Sequence, residues 1–213
     1  MKLLKQKSFA LLVFTAVLFT VLYGYQKNGN RTNVINNIIK EGDIIFLASN
    51  SARAKAIQIA SKSPYSHVGV VIRTGKSLMV FEAVQPVRFT SLNKFMARGN
   101  LVLVKRLKND NVMTDNKTKK FRALASNWAG KNYDGTYRWS DSRMYCSELV
   151  WKLYDRAFGI KLASLRRLSD YSLDHPVVRA ALKRVYGKSI PYKQTVIAPG
   201  DLANSELLRV VDL

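Results

Sequence analysis

Apolar and polar positions change their period half-way along the chain. In the first half they run in short β-rich stretches. GDIIFLA, Gly42 to Ala48, is the first such stretch, followed by SHVGVVI and LMVFEAV on either side of RTGKS. Gly75 in that connector supplies turn chemistry, so the pair predicts an antiparallel hairpin. VRFT and LVLVKRL predict two further strands, with a short helical segment between them around 92–97. SARAKAIQIASKS, Ser51 to Ser63, also breaks the series. It carries apolar residues at helical spacing, Ser51 as an N-cap and Pro64 as a stop.

The second half is helical in period. TKKFRALASNWAG places Phe121, Leu124, Ala125 and Trp128 on one face and stops at Gly130. YCSELVWKLYDRAFG does the same with Leu149, Val150, Leu153, Tyr154 and Ala157, and Gly159 closes it. HPVVRAALKRVYG reads as a helix from Pro176 to Gly187, and IAPGDLANS as a turn-and-cap segment before a last strand, LLRVV. Strands first and helices later define an α+β class.

The N-terminus follows neither pattern. Lys2, Lys5 and Lys7 precede an uncharged run from Ser8 to Tyr25, the order of an export signal. The run is long for a signal peptide, near the lower limit for a membrane span, and its exit lacks an Ala-x-Ala site. Residues 1–27 are therefore expected to be a signal anchor or a cleaved signal, 28–40 a polar tether, and 41–213 a single domain. The lysines should stay in the cytoplasm, which places the domain in the bacterial envelope, periplasmic and anchored to the inner membrane or released.

Charge then narrows the partner. A formal net charge of +21 calls for an anionic surface, and outside the inner membrane that means lipid headgroups or wall polymer rather than nucleic acid. The basic runs at Lys117–Lys120 and Arg179–Lys188 are either solvated faces or parts of that contact. No phosphate-binding Gly loop occurs, and two histidines with one cysteine make no structural zinc site, so neither cofactor nor metal is expected.

The single cysteine, Cys146, cannot form an internal disulfide. It is either a buried small hydrophobe or a reactive thiol. Ser140, Asp141 and Ser142 are the available caps, and they put it in or just before the first turn of its helix, where backbone N–H groups favour a thiolate. Of the two histidines, His175 precedes Pro176 in a helix-start loop and is expected to be exposed. His67 opens a strand with Gly69 beside it, leaving space for a helix end or substrate. A hairpin turning about Gly75 and Lys76 pairs 67 with 84 and 69 with 82, so Glu82 lies diagonal to His67 on one face. The other partners open to Glu82 are basic residues such as Arg73 or Arg88. Cys146, His67 and Glu82 would then be nucleophile, base and base-orienting group of an acyl transfer, with the Cys146 N–H as an oxyanion donor. Tyr65 and Tyr145 could each add a hydroxyl to the site or simply pack.

The ordered set GDIIF, YSHVGVVI, VFEAV and YCSELVWKLY, closed by APGDL, resembles the permuted papain-like cysteine hydrolases of the YiiX type within the NlpC superfamily. The resemblance spans roughly Glu41 to the C-terminus. It implies a circularly permuted papain-like fold, in which the histidine and acidic strands precede the cysteine helix. It also implies Cys146 as nucleophile, His67 as base and Glu82 as third member. Relatives of this kind act on peptide-like amides, peptidoglycan among them, or on acyl lipids.

Overall fold

The computed structural model describes residues 38–213. The proposed signal or anchor, 1–27, lies outside them, as does the tether up to residue 37. Among the described residues no helix is long and apolar enough to cross a membrane.

The strands β1 (Ile44–Ala48), β2 (His67–Thr74), β3 (Ser77–Glu82), β4 (Arg88–Ser91), β5 (Leu101–Leu107) and β10 (Leu208–Val210) form one antiparallel sheet in the order β10-β5-β1-β2-β3-β4. The β2–β3 hairpin runs from Thr74 opposite Ser77 to Val70 opposite Phe81, the expected register. Continuing it sets Gly69 across from Glu82. Among the described residues these helices accompany the sheet: α1 (Ala52–Ser61), α2 (Leu92–Met96), α3 (Asp115–Trp128), α4 (Cys146–Phe158), α5 (Pro176–Tyr186) and α6 (Pro199–Ala203). Ser51 caps α1 by accepting the Ala54 N–H at 3.1 Å, and His175 caps α5.

Helix α4 is the core of the domain. Every residue from Cys146 to Tyr154 is buried, and the helix packs on α3 on one side and on β2 on the other. Val68, Val70 and Ile72 on one face of β2 join Leu149, Val150, Leu153 and Tyr154 in a single cluster. A helix enclosed this way needs its polar residues satisfied internally. Gly42 enters β1 with φ +85°, which a side chain would resist, and a Cβ there would also strike Met113. Its carbonyl accepts from the Tyr154 hydroxyl, tying the first strand to α4.

Short pairings escaped the periodic reading. β6 (Asn132–Tyr133) pairs in parallel with β7 (Arg143–Met144), and β8 (Arg166–Arg167) pairs antiparallel with β9 (Thr195–Val196). Two residues carry no period. The APGDL segment, expected as a turn and cap, closes one short helical turn as α6.

Candidate active site

Helix α4 begins at Cys146 itself. The expected caps Ser140, Asp141 and Ser142 do not cap it. Tyr145 holds the cap position, and Glu148 reaches back to accept the Tyr145 N–H at 3.3 Å and the Ser140 N–H at 2.9 Å. Glu148 is wholly buried, and Lys152 one turn on donates to it at 2.7 Å. Burial lifts the Glu148 carboxyl to about 7 despite those bonds. Lys152 also donates to the Ser140 carbonyl and to Asp141, so the loop before the cysteine is tied to its own helix. Ser147 donates to the Ile197 carbonyl at 2.7 Å and Tyr145 accepts the Ile197 N–H at 3.1 Å, which fastens the other side of the helix start.

His67, the first residue of β2, meets the carboxylate that the hairpin register delivers. Its Nε2 lies 2.7 Å from Glu82 Oε2. Glu82 is fully buried and also accepts from Thr90 Oγ1 at 2.6 Å and from Arg98 at 2.6 and 2.7 Å. Burial works against its charge, but His67, Thr90 and Arg98 outweigh that and hold the carboxyl down at about 2. Nε2 being engaged, Nδ1 is the nitrogen left for the Cys146 thiol, with which His67 also hydrogen-bonds. Burial pulls the imidazole down, yet the bonds to Cys146 and Glu82 raise it to about 9. Burial pushes the thiol up, and His67 together with the Val68 and Ser147 backbone N–H groups carries it below the ordinary range. Both shifts favour the thiolate–imidazolium form of the pair.

Some of the expectations about neighbouring residues hold and others change. Gly69 makes room for a helix rather than for substrate: a Cβ there would meet Val80 at 2.5 Å and Phe95 at 2.9 Å, so the glycine lets α2 close on the sheet. Tyr145 is a packing residue, buried edge-on to Tyr137 at 5.6 Å with its hydroxyl on Ile197. Tyr65 is half-buried with its ring 5.7 Å from Phe46. His175 is exposed at the start of α5. Glu82 pairs with both His67 and a base, but that base is Arg98 rather than Arg73 or Arg88.

Two tyrosines that periodicity did not single out also feel the thiol's charge. Tyr133 and Tyr137 hydrogen-bond each other, and burial followed by the charge of Cys146 drives the Tyr133 hydroxyl well above its usual range. Tyr137 holds φ +53°, a strained conformation for a side-chain-bearing residue. Gln194 donates to its carbonyl at 2.7 Å and to that of Thr136 at 3.0 Å, fixing the turn. A cleft of about 290 Å³ opens beside His67, walled by Ser51, Arg53, Ser66, Gln85 and Tyr133. A larger one, about 620 Å³ and lined by residues such as Trp151, Leu162 and Glu206, includes none of the Cys–His–Glu group.

A family model described as permuted papain-like amidase enzyme, YaeF/YiiX, C92 family, matches residues 38–212. The chain belongs to this family. It is 39% identical over 172 residues to "Uncharacterized protein YiiX" of Escherichia coli (strain K12), covering 80% of this chain and 84% of that protein. A crystal structure described as metalloprotein yiiX from Escherichia coli O157:H7 superposes with a TM-score of 0.77 at 38% identity, covering 82% of this chain and 97% of that one. The fold is therefore circularly permuted papain-like, and the family is one of cysteine hydrolases of the amidase kind. Among the described residues no group of three or more His, Cys, Asp or Glu side chains is placed to hold a metal ion, so the donor set here does not form a metal site.

Proposed function

We propose that the protein is an envelope cysteine amidase working through a thioester acyl-enzyme. The observation that carries this reading is one imidazole shared between Cys146 and the buried Glu82. The thiolate attacks the scissile carbonyl carbon, and the developing oxyanion is met by the first-turn N–H of Cys146. The His67 imidazolium gives its proton to the leaving amine as the C–N bond breaks. Neutral His67 then takes a proton from water, whose oxygen attacks the thioester. The C–S bond breaks, the acid leaves, and thiolate and imidazolium are restored. Glu82 keeps the ring oriented and favours its charged form throughout.

Peptide-like amides of the cell envelope are the substrates this reading favours, with acyl-lipid esters as the competing class. The basic, then apolar, N-terminus supports an extracytoplasmic site of action. Incubation with wall digests and, separately, with lipid extracts, followed by intact-mass analysis, should trap an adduct on Cys146 that is missing in Cys146→Ala. The adduct mass names the substrate class. A thiol that alkylates no faster than free cysteine, with no adduct from either extract, would overturn the proposal.

A further inference from the structure

Among the described residues five arginines, Arg98, Arg106, Arg122, Arg156 and Arg166, are committed to carboxylates, and Arg53, exposed at the start of α1, is not one of them. Among the described residues no carboxylate lies within ion-pair distance of it, and its guanidinium stands 5.7 Å from the Tyr133 ring centroid, in the wall of the cleft beside His67. No acidic residue lines that cleft. Arg53 also acts electrostatically on both Tyr133 and Tyr137, the same tyrosines that feel the Cys146 charge, and it shares the cleft wall with His67.

A second observation comes from Ser66, in the same wall. Its residue is 6% exposed, and its hydroxyl has no hydrogen-bond partner. It is the one such buried side-chain group among the described residues. A buried hydroxyl without a partner costs free energy that a bound acceptor would return. A guanidinium without a carboxylate partner and an unsatisfied donor, lining one cleft with His67 and with no acid among the lining residues, describe a receptor for an anionic oxygen group.

We propose that Arg53 recognises a carboxylate on the substrate, so that the favoured acyl donors are amides carrying a carboxylate near the scissile carbonyl. This rests on reading Cys146 as the nucleophile. The planar fork of one guanidinium matches the two oxygens and single charge of a carboxylate. Arg53 is a positioning residue and takes no part in bond making.

The test compares alkylation of Cys146 in the full chain by iodoacetate and by its neutral isostere iodoacetamide. The ratio of the two rates should fall about tenfold in Arg53→Met, the scale of one charge-assisted hydrogen bond. It should recover in part in Arg53→Lys. In Lys55→Met, which removes an exposed charge from the same helix but not from the cleft, the ratio should hold. An unchanged ratio in Arg53→Met, or an equal fall in Lys55→Met, overturns the assignment. Independently, acetate titrated into Cys146→Ala should shift the Arg53 Nε–H resonance saturably. No shift overturns the anion site, and a shift by inorganic phosphate at lower concentration overturns the carboxylate. If acetate binds but iodoacetamide reacts no faster than with free cysteine, the nucleophile reading alone has failed.

Discussion

His67 bears two opposed demands at residue scale. It has to remain charged while largely enclosed, and only the two partners beside it make that state favourable. Removing either should return the thiol toward ordinary behaviour. In His67→Ala, the rising limb of Cys146 alkylation against pH should move up to about 8.5, the range of a free thiol. At pH 6 the rate should fall by about two orders of magnitude, whereas His175→Ala should leave the profile in place. Glu82→Gln keeps a hydrogen-bond acceptor and loses the charge, so its profile should fall between. Stability follows the same groups. The Glu82 carboxyl is held at about 2 against an ordinary 4.5, so its contribution, roughly 3 kcal/mol, is present above pH 4.5 and lost as pH falls toward 2. The His67 contribution has the opposite sense: it is full below 6.5 and lost as pH rises through about 9. Urea unfolding of Glu82→Gln and the parent should therefore differ at pH 7 and converge toward pH 3; a constant gap would contradict this assignment.

Among the elements, α4 decides whether the site exists, because its first residue is the thiol and its second and third fasten it in place. Sequence alone assigns Ser147 and Glu148 no physical role. They are buried because the loop before the helix and the Ile197 strand end close over that side. Period reveals which face of a helix is apolar, but it says nothing of a carboxylate that turns back to its own N-terminus. The long strands and helices were legible for the converse reason, each repeating its period over several residues between recognisable caps. Truncating Glu148 to Ala leaves Lys152 buried against Trp139, whose ring it faces at 4.7 Å, with half of its ion pair gone. A loss of about 3–5 kcal/mol is expected by thermal unfolding. Replacing both members, Glu148→Leu with Lys152→Met, should recover much of it while freeing the 139–145 loop, so stability would return before thiol reactivity does.

For the molecule as a whole, what could be read in advance depended on how each residue reaches the site. Strand parity places His67 and Glu82, since a two-residue loop at Gly75 and Lys76 puts them on one face where an odd loop would part them, and helix position places Cys146. Arg53, Arg98, Tyr133 and Tyr137 arrive from a helix rim, a two-residue bridge and connecting loops, whose convergence no local pattern encodes. Charge obeys a similar division. Glu41, Asp43, Glu82, Asp141, Glu148 and Asp201 are held in ion pairs within the domain, so much of the chain's 14-residue acidic complement is already spent against internal bases. Among the described residues, many of the basic side chains outside those pairs face outward, as at Arg179, Lys183, Arg184 and Lys188 on and after α5. A surface of that kind should bind vesicles containing anionic phospholipid and ignore neutral ones, each basic residue near the surface contributing about 1 kcal/mol at low salt. Affinity should fall steeply as salt shortens the screening length, fall again in Lys183→Glu with Arg184→Glu, and persist in Cys146→Ala. Co-sedimentation with vesicles decides it: binding equal on neutral and anionic lipid would detach the charge from any membrane role, and binding lost with the thiol would make surface contact and the acyl-transfer site one function.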